Sequence, residues 1–259
     1  MGYERVLLVG RFGQGKTTQI MTLPGKKRVY GFDPNAEACL RRCPNMDFVQ
    51  LLPGTGEADV WPRNVHQNVS SLDRVKPEVY DRFLKDVDKT DWQQYDWLIV
   101  DGISFLARAM MVAVKVLQQR VQSKEPRTNY QIVGNMLVDV FAYLPNFPVN
   151  LLATSHYKKE AEDYKPTLDA PGSASRELPK EFNEIWSCTM TPPDKPKGHP
   201  SYFIQTAPSE ELPLCRTAIK PAPEFQQDVT IKDWGDFSEE TLSSQGIGKL
   251  LKPNLTLKT

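Results

Sequence analysis

The run Gly10-Arg11-Phe12-Gly13-Gln14-Gly15-Lys16-Thr17 constrains this chain more than any other stretch. It meets the spacing G-x-x-x-x-G-K-[ST] at every fixed position. Residues 5–9, RVLLV, form an apolar run ending at Gly10, and residues 16–23 form a helix-compatible run stopped by Pro24-Gly25. In a strand–loop–helix setting of this kind, small residues let backbone N–H groups curl around a phosphate while the helix points its positive end at the anion. Gly10, Arg11, Phe12, Gly13, Gln14 and Gly15 would wrap the phosphate. Lys16 would bridge the β- and γ-phosphates of a nucleotide, the Thr17 hydroxyl would ligate Mg2+, and Thr18 follows in the same turn.

The rest of the chain supplies a setting for that loop. Residues 28–32 and 46–52 read as second and third strands, 53–75 as an irregular excursion, and 76–90 as an amphipathic helix with Val79, Tyr80, Phe83, Leu84 and Val87 on one face. Residues 95–100 form a short buried strand that delivers Asp101 at its end. Two long helical patterns follow, one from Ile103 to Val121 and one from Val133 to Leu144, joined by a linker at 123–129. Residues 149–154 read as another buried strand, 157–179 as a long mobile loop, and 185–190, 201–206 and 214–219 as late strands. Beyond Pro221 the pattern fades into a polar tail. Alternation of strand and helix through residue 156 predicts an α/β fold with a mostly parallel sheet covered on both faces.

Asp101 completes the phosphate site. A carboxylate at the C-terminal end of an apolar strand stands where α/β sheets bind ligands, and it can hold Mg2+ opposite Thr17. A guanine-reading N-K-x-D element is absent, which makes ATP the expected nucleotide, and position 11 is Arg rather than the early lysine of ParA-type loops.

Charge and cysteine content narrow the class. Lys plus Arg and Asp plus Glu balance at 32 each, so no global field draws the chain to nucleic acid, although a local basic loop can still do so. Cys39 and Cys43 sit four apart without a nearby histidine, so all four cysteines, with Cys188 and Cys215, read as reduced structural thiols rather than zinc ligands. The apolar stretch 103–117 is broken by Arg108 and Lys115, which argues against a membrane span and for a cytoplasmic protein.

With these residues in place, the chain resembles the RecA-like P-loop ATPases common in bacteriophages, including phage recombination and single-strand-annealing ATPases. The likeness runs through residues 4–225 in order of elements. It rests on the loop with Thr17 and Thr18, Phe32-Asp33 closing the second strand, Asp101-Gly102-Ile103-Ser104, the strand into Thr154-Ser155-His156, and the 166–182 segment before a late strand. The resemblance implies a RecA-like domain over 1–225 with late antiparallel strands, followed by a polar tail at 226–259. It also implies ATP hydrolysis between subunits stacked into rings or filaments, in the host cytoplasm if the protein is phage-encoded. RecA-like proteins polarise the attacking water with a glutamate after the second strand. Here Asn35 takes the aligned place, which leaves Glu37 in a shifted register, or Asp33, as the base. His156 occupies the place of a γ-phosphate sensor. Lys220, with Arg216 as its rival, resembles the lysine such proteins insert into a neighbour's site.

The same resemblance points to single-stranded DNA as a partner, bound by two loops at 118–130 and 157–179. The first offers Arg120, Lys124 and Arg127 with Tyr130, and the second Lys158, Lys159, Lys165 and Arg176 with Tyr157 and Tyr164. Basic residues interleaved with aromatics suit backbone tracking and base stacking, although Glu160, Glu162, Asp163 and Asp169 offset the second group. Two other readings share the P-loop: a small-molecule kinase with a lid at 53–75 or 157–179, and an ATP-gated assembly factor of helicase-loader type whose tail recruits a protein partner.

Overall fold

The computed structural model describes residues 3–51, 78–120, 126–158, 166–193, 200–219, 223–255 and 257. The excursion at 53–75 lies outside them. In chain order the strands are β1 (Arg5–Val9), β2 (Lys27–Gly31), β3 (Met46–Gln50), β4 (Trp97–Asp101), β5 (Asn150–Ser155), β6 (Tyr157–Lys158), β7 (Thr167–Leu168), β8 (Glu184–Thr191), β9 (Ser201–Gln205) and β10 (Gln226–Asp228). The helices are α1 (Lys16–Gln19), α2 (Ala36–Leu40), α3 (Glu78–Lys89), α4 (Ile103–Arg120), α5 (Pro126–Tyr143), α6 (Ala174–Glu177), α7 (Glu239–Ser243) and α8 (Gly248–Leu251).

Eight strands form one sheet in the order β10-β9-β8-β1-β5-β4-β2-β3. From β8 to β3 all pairs are parallel, and β9 and β10 add antiparallel strands at the other edge. This is the α/β architecture expected, late antiparallel strands included. The central strands are buried from end to end, WLIVD in β4 and NLLATS in β5, as parallel strands covered on both faces must be.

Alternation along each strand divides the core in two. Leu7, Val9, Leu98, Val100, Leu151 and Ala153 face a layer built by α3, α4 and α5, which contribute Phe83, Met110 and Leu137. Val6, Leu8, Ile99 and Leu152 face the other layer. There α1 is a single turn. A 3-10 turn over 20–22 follows, and Leu23 turns extended because Pro24 disfavours helix at the residue before it. So short an element cannot cover half a sheet.

The segment read as a polar tail fills the gap. Residues 226–228 are a sheet strand, and Val229, Ile231, Leu242, Ile247 and Leu251 are buried against Ile20, Met21 and Leu23. Polar contacts lock it there: Gln19 Nε2 donates to the Val229 carbonyl (3.0 Å), Ile247 N–H to Gln19 Oε1 (3.0 Å), and Gly25 N–H to Glu239 Oε1 (2.6 Å). The contact is so close at Gly248 that a methyl group there would lie 1.9 Å from the Thr22 carbonyl oxygen.

Two further expectations are corrected. Residues 214–219 form no strand: Arg216 makes one antiparallel bridge to Ile185, and the Glu184 carboxylate takes the Ala218 N–H (2.6 Å) in place of a ladder carbonyl. The described parts of 157–179 are not a loop but the β6–β7 hairpin, α6 and a 3-10 turn over 178–181. The hairpin is closed at its base by Asp169 N–H donating to the His156 carbonyl (2.9 Å). Among the described residues no helix is long and apolar enough to cross a membrane.

Candidate functional site

The loop from Gly10 to Gly15 leaves the C-terminal end of β1, the central strand, and opens onto a cavity of about 330 Å³. Gly15 holds φ +78°, a left-handed conformation that side-chain-bearing residues rarely adopt. Gln14 Oε1 accepts the Arg11 N–H (2.5 Å) and closes the tip of the loop, leaving Phe12 75% exposed. Lys16 is buried and donates through Nζ to the carbonyls of Gly10 (3.0 Å) and Arg11 (2.9 Å). An ammonium has three N–H groups, so one remains for a phosphate oxygen. Burial holds the Lys16 amine below its ordinary value against the raising effect of Cys188, Asp101 and Asp33.

Asp101 stands at the end of β4, two strands away, and is almost wholly buried. It accepts from Thr17 Oγ1 at 3.0 and 3.1 Å and from Thr154 Oγ1 at 2.6 Å. Thr154 in turn accepts the Gly102 N–H (2.9 Å). Desolvation pushes the Asp101 carboxyl up to about 6, with the threonine hydrogen bonds and Lys16 offsetting part of the effect. A buried carboxylate facing a threonine hydroxyl suits Mg2+, which keeps several waters and takes few protein ligands. No cluster of three or more His, Cys, Asp or Glu able to hold a metal occurs among the described residues.

His156 lines the same cavity from the end of β5, edge-on to Phe105, with its backbone N–H donating to Ser104 Oγ (3.3 Å). Burial and the nearby Lys16 ammonium hold its imidazole below the ordinary value, so it is neutral at pH 7 and carries one N–H donor. After β2, Asp33 and Asn35 reach the cavity wall, whereas Glu37 lies exposed on α2 away from it. Thr18 also lines the wall. Arg216 is committed elsewhere, its guanidinium donating to the carbonyls of Pro179 (2.7 Å) and Phe182. Lys220 lies outside the described residues.

Of the basic residues assigned to DNA, Lys124, Lys159 and Lys165 lie outside the described residues. Arg120 ends α4 and Arg127 falls in the first turn of α5, so the linker between these helices is shorter than 118–130. Lys158 and Arg176 come together around a second, polar cavity of about 500 Å³ beside the β6–β7 hairpin, with Thr167, Ser173 and Ser175. Two residues of the nucleotide cavity had no sequence signal as site residues, Cys39 on α2 and Tyr202 on β9, and Thr154, read only as part of the strand into His156, orients Asp101 through its hydroxyl. Only sheet order brings Tyr202 to the loop.

The family model described as an AAA domain matches residues 3–213. The chain belongs to that AAA-domain family. Together with the sheet and the loop geometry, the match makes it a RecA-like P-loop ATPase-family protein, a family that generally binds ATP with Mg2+. No curated protein matches the sequence. Among solved structures this AAA-domain chain is similar to the flagellar accessory protein FlaH from Methanocaldococcus jannaschii, at 10% identity over 88% of this chain and 85% of that one, TM-score 0.45. A KaiC-like protein from Pyrococcus horikoshii OT3 is also similar, at 14% identity over 88% and 86%, TM-score 0.40.

Proposed function

We propose that this AAA-domain protein binds ATP with Mg2+ at the Gly10–Thr17 loop, hydrolyses it, and uses the cycle to handle single-stranded DNA, as the phage recombination and annealing ATPases it resembles do. The observation that carries this reading is the short run of chain that joins the walls of the two cavities. β5 ends beside the phosphate loop, His156 lines the nucleotide cavity, and the next residues enter the hairpin whose Lys158 lines the second, polar cavity with Arg176 and Glu177. A contact between His156 and a γ-phosphate would bear directly on the hairpin, because His156 and Asp169 close its base.

In this reading Lys16 donates its third N–H to the β- and γ-phosphates. Thr17 and Asp101 hold Mg2+, which when bound neutralises charge on the phosphate oxygens. Thr154 fixes the carboxylate orientation. The neutral His156 donates to a terminal phosphate oxygen. Asp33, which lines the wall, accepts a proton from water in this reading, and its lining position favours it over Glu37, which is exposed on α2 and outside the wall. Subunits stack so that a neighbour closes the open side of the cavity.

The test is phosphate release from ATP by wild type and Lys16→Ala, with and without single-stranded DNA. The expected result is release that DNA stimulates and that vanishes in the variant. Release indifferent to DNA would remove the DNA role while keeping the nucleotide site. An unaltered rate in Lys16→Ala would overturn the site itself.

A further inference from the structure

We infer that Tyr202 is the surface on which the base of the bound nucleotide stacks; this rests on the nucleotide reading of the cavity and specifies its other half. The groups suited to phosphate and metal lie to one side of β1, Asp101 at the end of β4 and His156 after β5. β8 and β9 lie to the other side. A triphosphate gripped by Lys16, with its terminal end toward Asp101 and His156, must run its nucleoside toward β8 and β9. The aromatic residue standing there on the cavity wall is Tyr202.

Its placement is close and fixed. A methyl group at Gly15 would lie 2.8 Å from Tyr202 Cδ1 and 2.9 Å from Cε1, so the ring lies directly against the loop that precedes Lys16. Its backbone is held from both directions, N–H donating to Thr230 Oγ1 (2.8 Å) and carbonyl accepting the Val229 N–H (2.9 Å). Val229 also accepts from Gln19 on α1, so the helix, the C-terminal segment and the Tyr202 backbone are tied together. Phe12, also on the cavity wall, stands on the exposed tip of the loop and has no such anchorage. A half-buried phenol beside a phosphate loop can offer a π face to any base, and such stacking is sequence-tolerant.

The experiment measures binding of Mg·ATP and of Mg·tripolyphosphate, which lacks base and sugar, to the full chain by calorimetry. Tyr202→Leu keeps an apolar body against Gly15 but removes the ring. It should bind tripolyphosphate as wild type does and ATP about 5- to 100-fold more weakly, and Tyr202→Phe should recover most of that loss. Equal weakening of both ligands in the leucine variant would mean that the ring only braces the loop, and unchanged ATP affinity would mean that it meets no base; either overturns the assignment. Failure of the nucleotide reading would show differently, as wild type binding neither ligand.

Discussion

The two flanks of the phosphate loop are built from opposite materials. Toward β5 and β4 the wall is polar: Asp101 is buried with two threonine donors, a lysine nearby and a neutral histidine beyond. Toward β8, β9 and the C-terminal segment it is neutral, with Cys188, Tyr202, Val229 and Ile247 packed around α1 and the loop, and burial pushing the Cys188 thiol up to about 12. The first flank carries an electrostatic cost that a cation relieves. The second flank holds the loop in place by packing. Perturbations should therefore separate cleanly, chemistry on one side and stability on the other.

The sharpest separation is expected at Asp101→Asn. Losing the carboxylate should lower Mg2+-dependent phosphate release by at least about 100-fold, the scale seen when a preorganised charge-stabilising group is removed. Melting without Mg2+ at pH 8 should occur at or above the wild-type temperature, because burying an amide costs less than burying an ion. A variant that loses several degrees instead would show that this flank also holds the fold, and the contrast would dissolve.

Leu251→Ala tests the opposite flank. Leu251 is fully buried in α8 against the layer that holds α1, and its truncation should cost about 2–5 kcal/mol in urea unfolding. Phosphate release per folded molecule should stay within a few-fold of wild type. If release fell with no loss of stability, the C-terminal segment would be acting on the chemistry and not merely on the packing.

The same contrast explains what was legible in the sequence. The polar flank announces itself because its residues sit at strand ends beside fixed spacings: Lys16 and Thr17 in the loop, Asp101 after WLIV, His156 after LLATS. The layer of α3, α4 and α5 was equally legible, since helices of 12 to 18 residues repeat their apolar positions many times. The neutral flank uses a strand of three residues, helices of four and five, and glycines chosen for close approach at Thr22. Apolar residues spaced as Val229, Ile231, Leu242, Ile247 and Leu251 have no period to read, so the segment passes for a polar tail. Tyr202 is hidden for another reason, because its proximity to Gly15 exists only once β8 pairs with β1. Which of Asp33 and Glu37 lines the cavity was likewise a matter of position: both follow β2, and only the geometry of the turn brings Asp33 to the wall.

Acidity should move the two properties of the polar flank in opposite directions. With its pKa raised from 3.8 to about 6 by burial, Asp101 binds its proton more tightly folded than unfolded. Its contribution to stability is thus fully present below about pH 4 and is lost as pH rises through about 6. Mg2+ needs the ionised form, so metal-dependent nucleotide binding should weaken as pH falls through the same range. Melting temperatures across pH 4–8 should show the metal-induced increment growing with pH in wild type but not in Asp101→Asn. An increment that is flat with pH in wild type would separate Asp101 from the metal.

The smallest effect belongs to the second, polar cavity, where the contrast extends to the proposed DNA partner. Arg176 is exposed, lines that cavity with Lys158, and is not among the residues lining the nucleotide cavity. If it meets a backbone phosphate, Arg176→Ala should weaken single-stranded DNA binding a few-fold regardless of sequence. It should also reduce the slope of log affinity against log salt by about 0.7, the release of roughly one counterion from a single strand. Basal phosphate release without DNA should not change, whereas the DNA concentration needed for half-maximal stimulation should rise. An unchanged salt slope would place the DNA elsewhere on the surface and leave the hairpin as a purely structural continuation of β5.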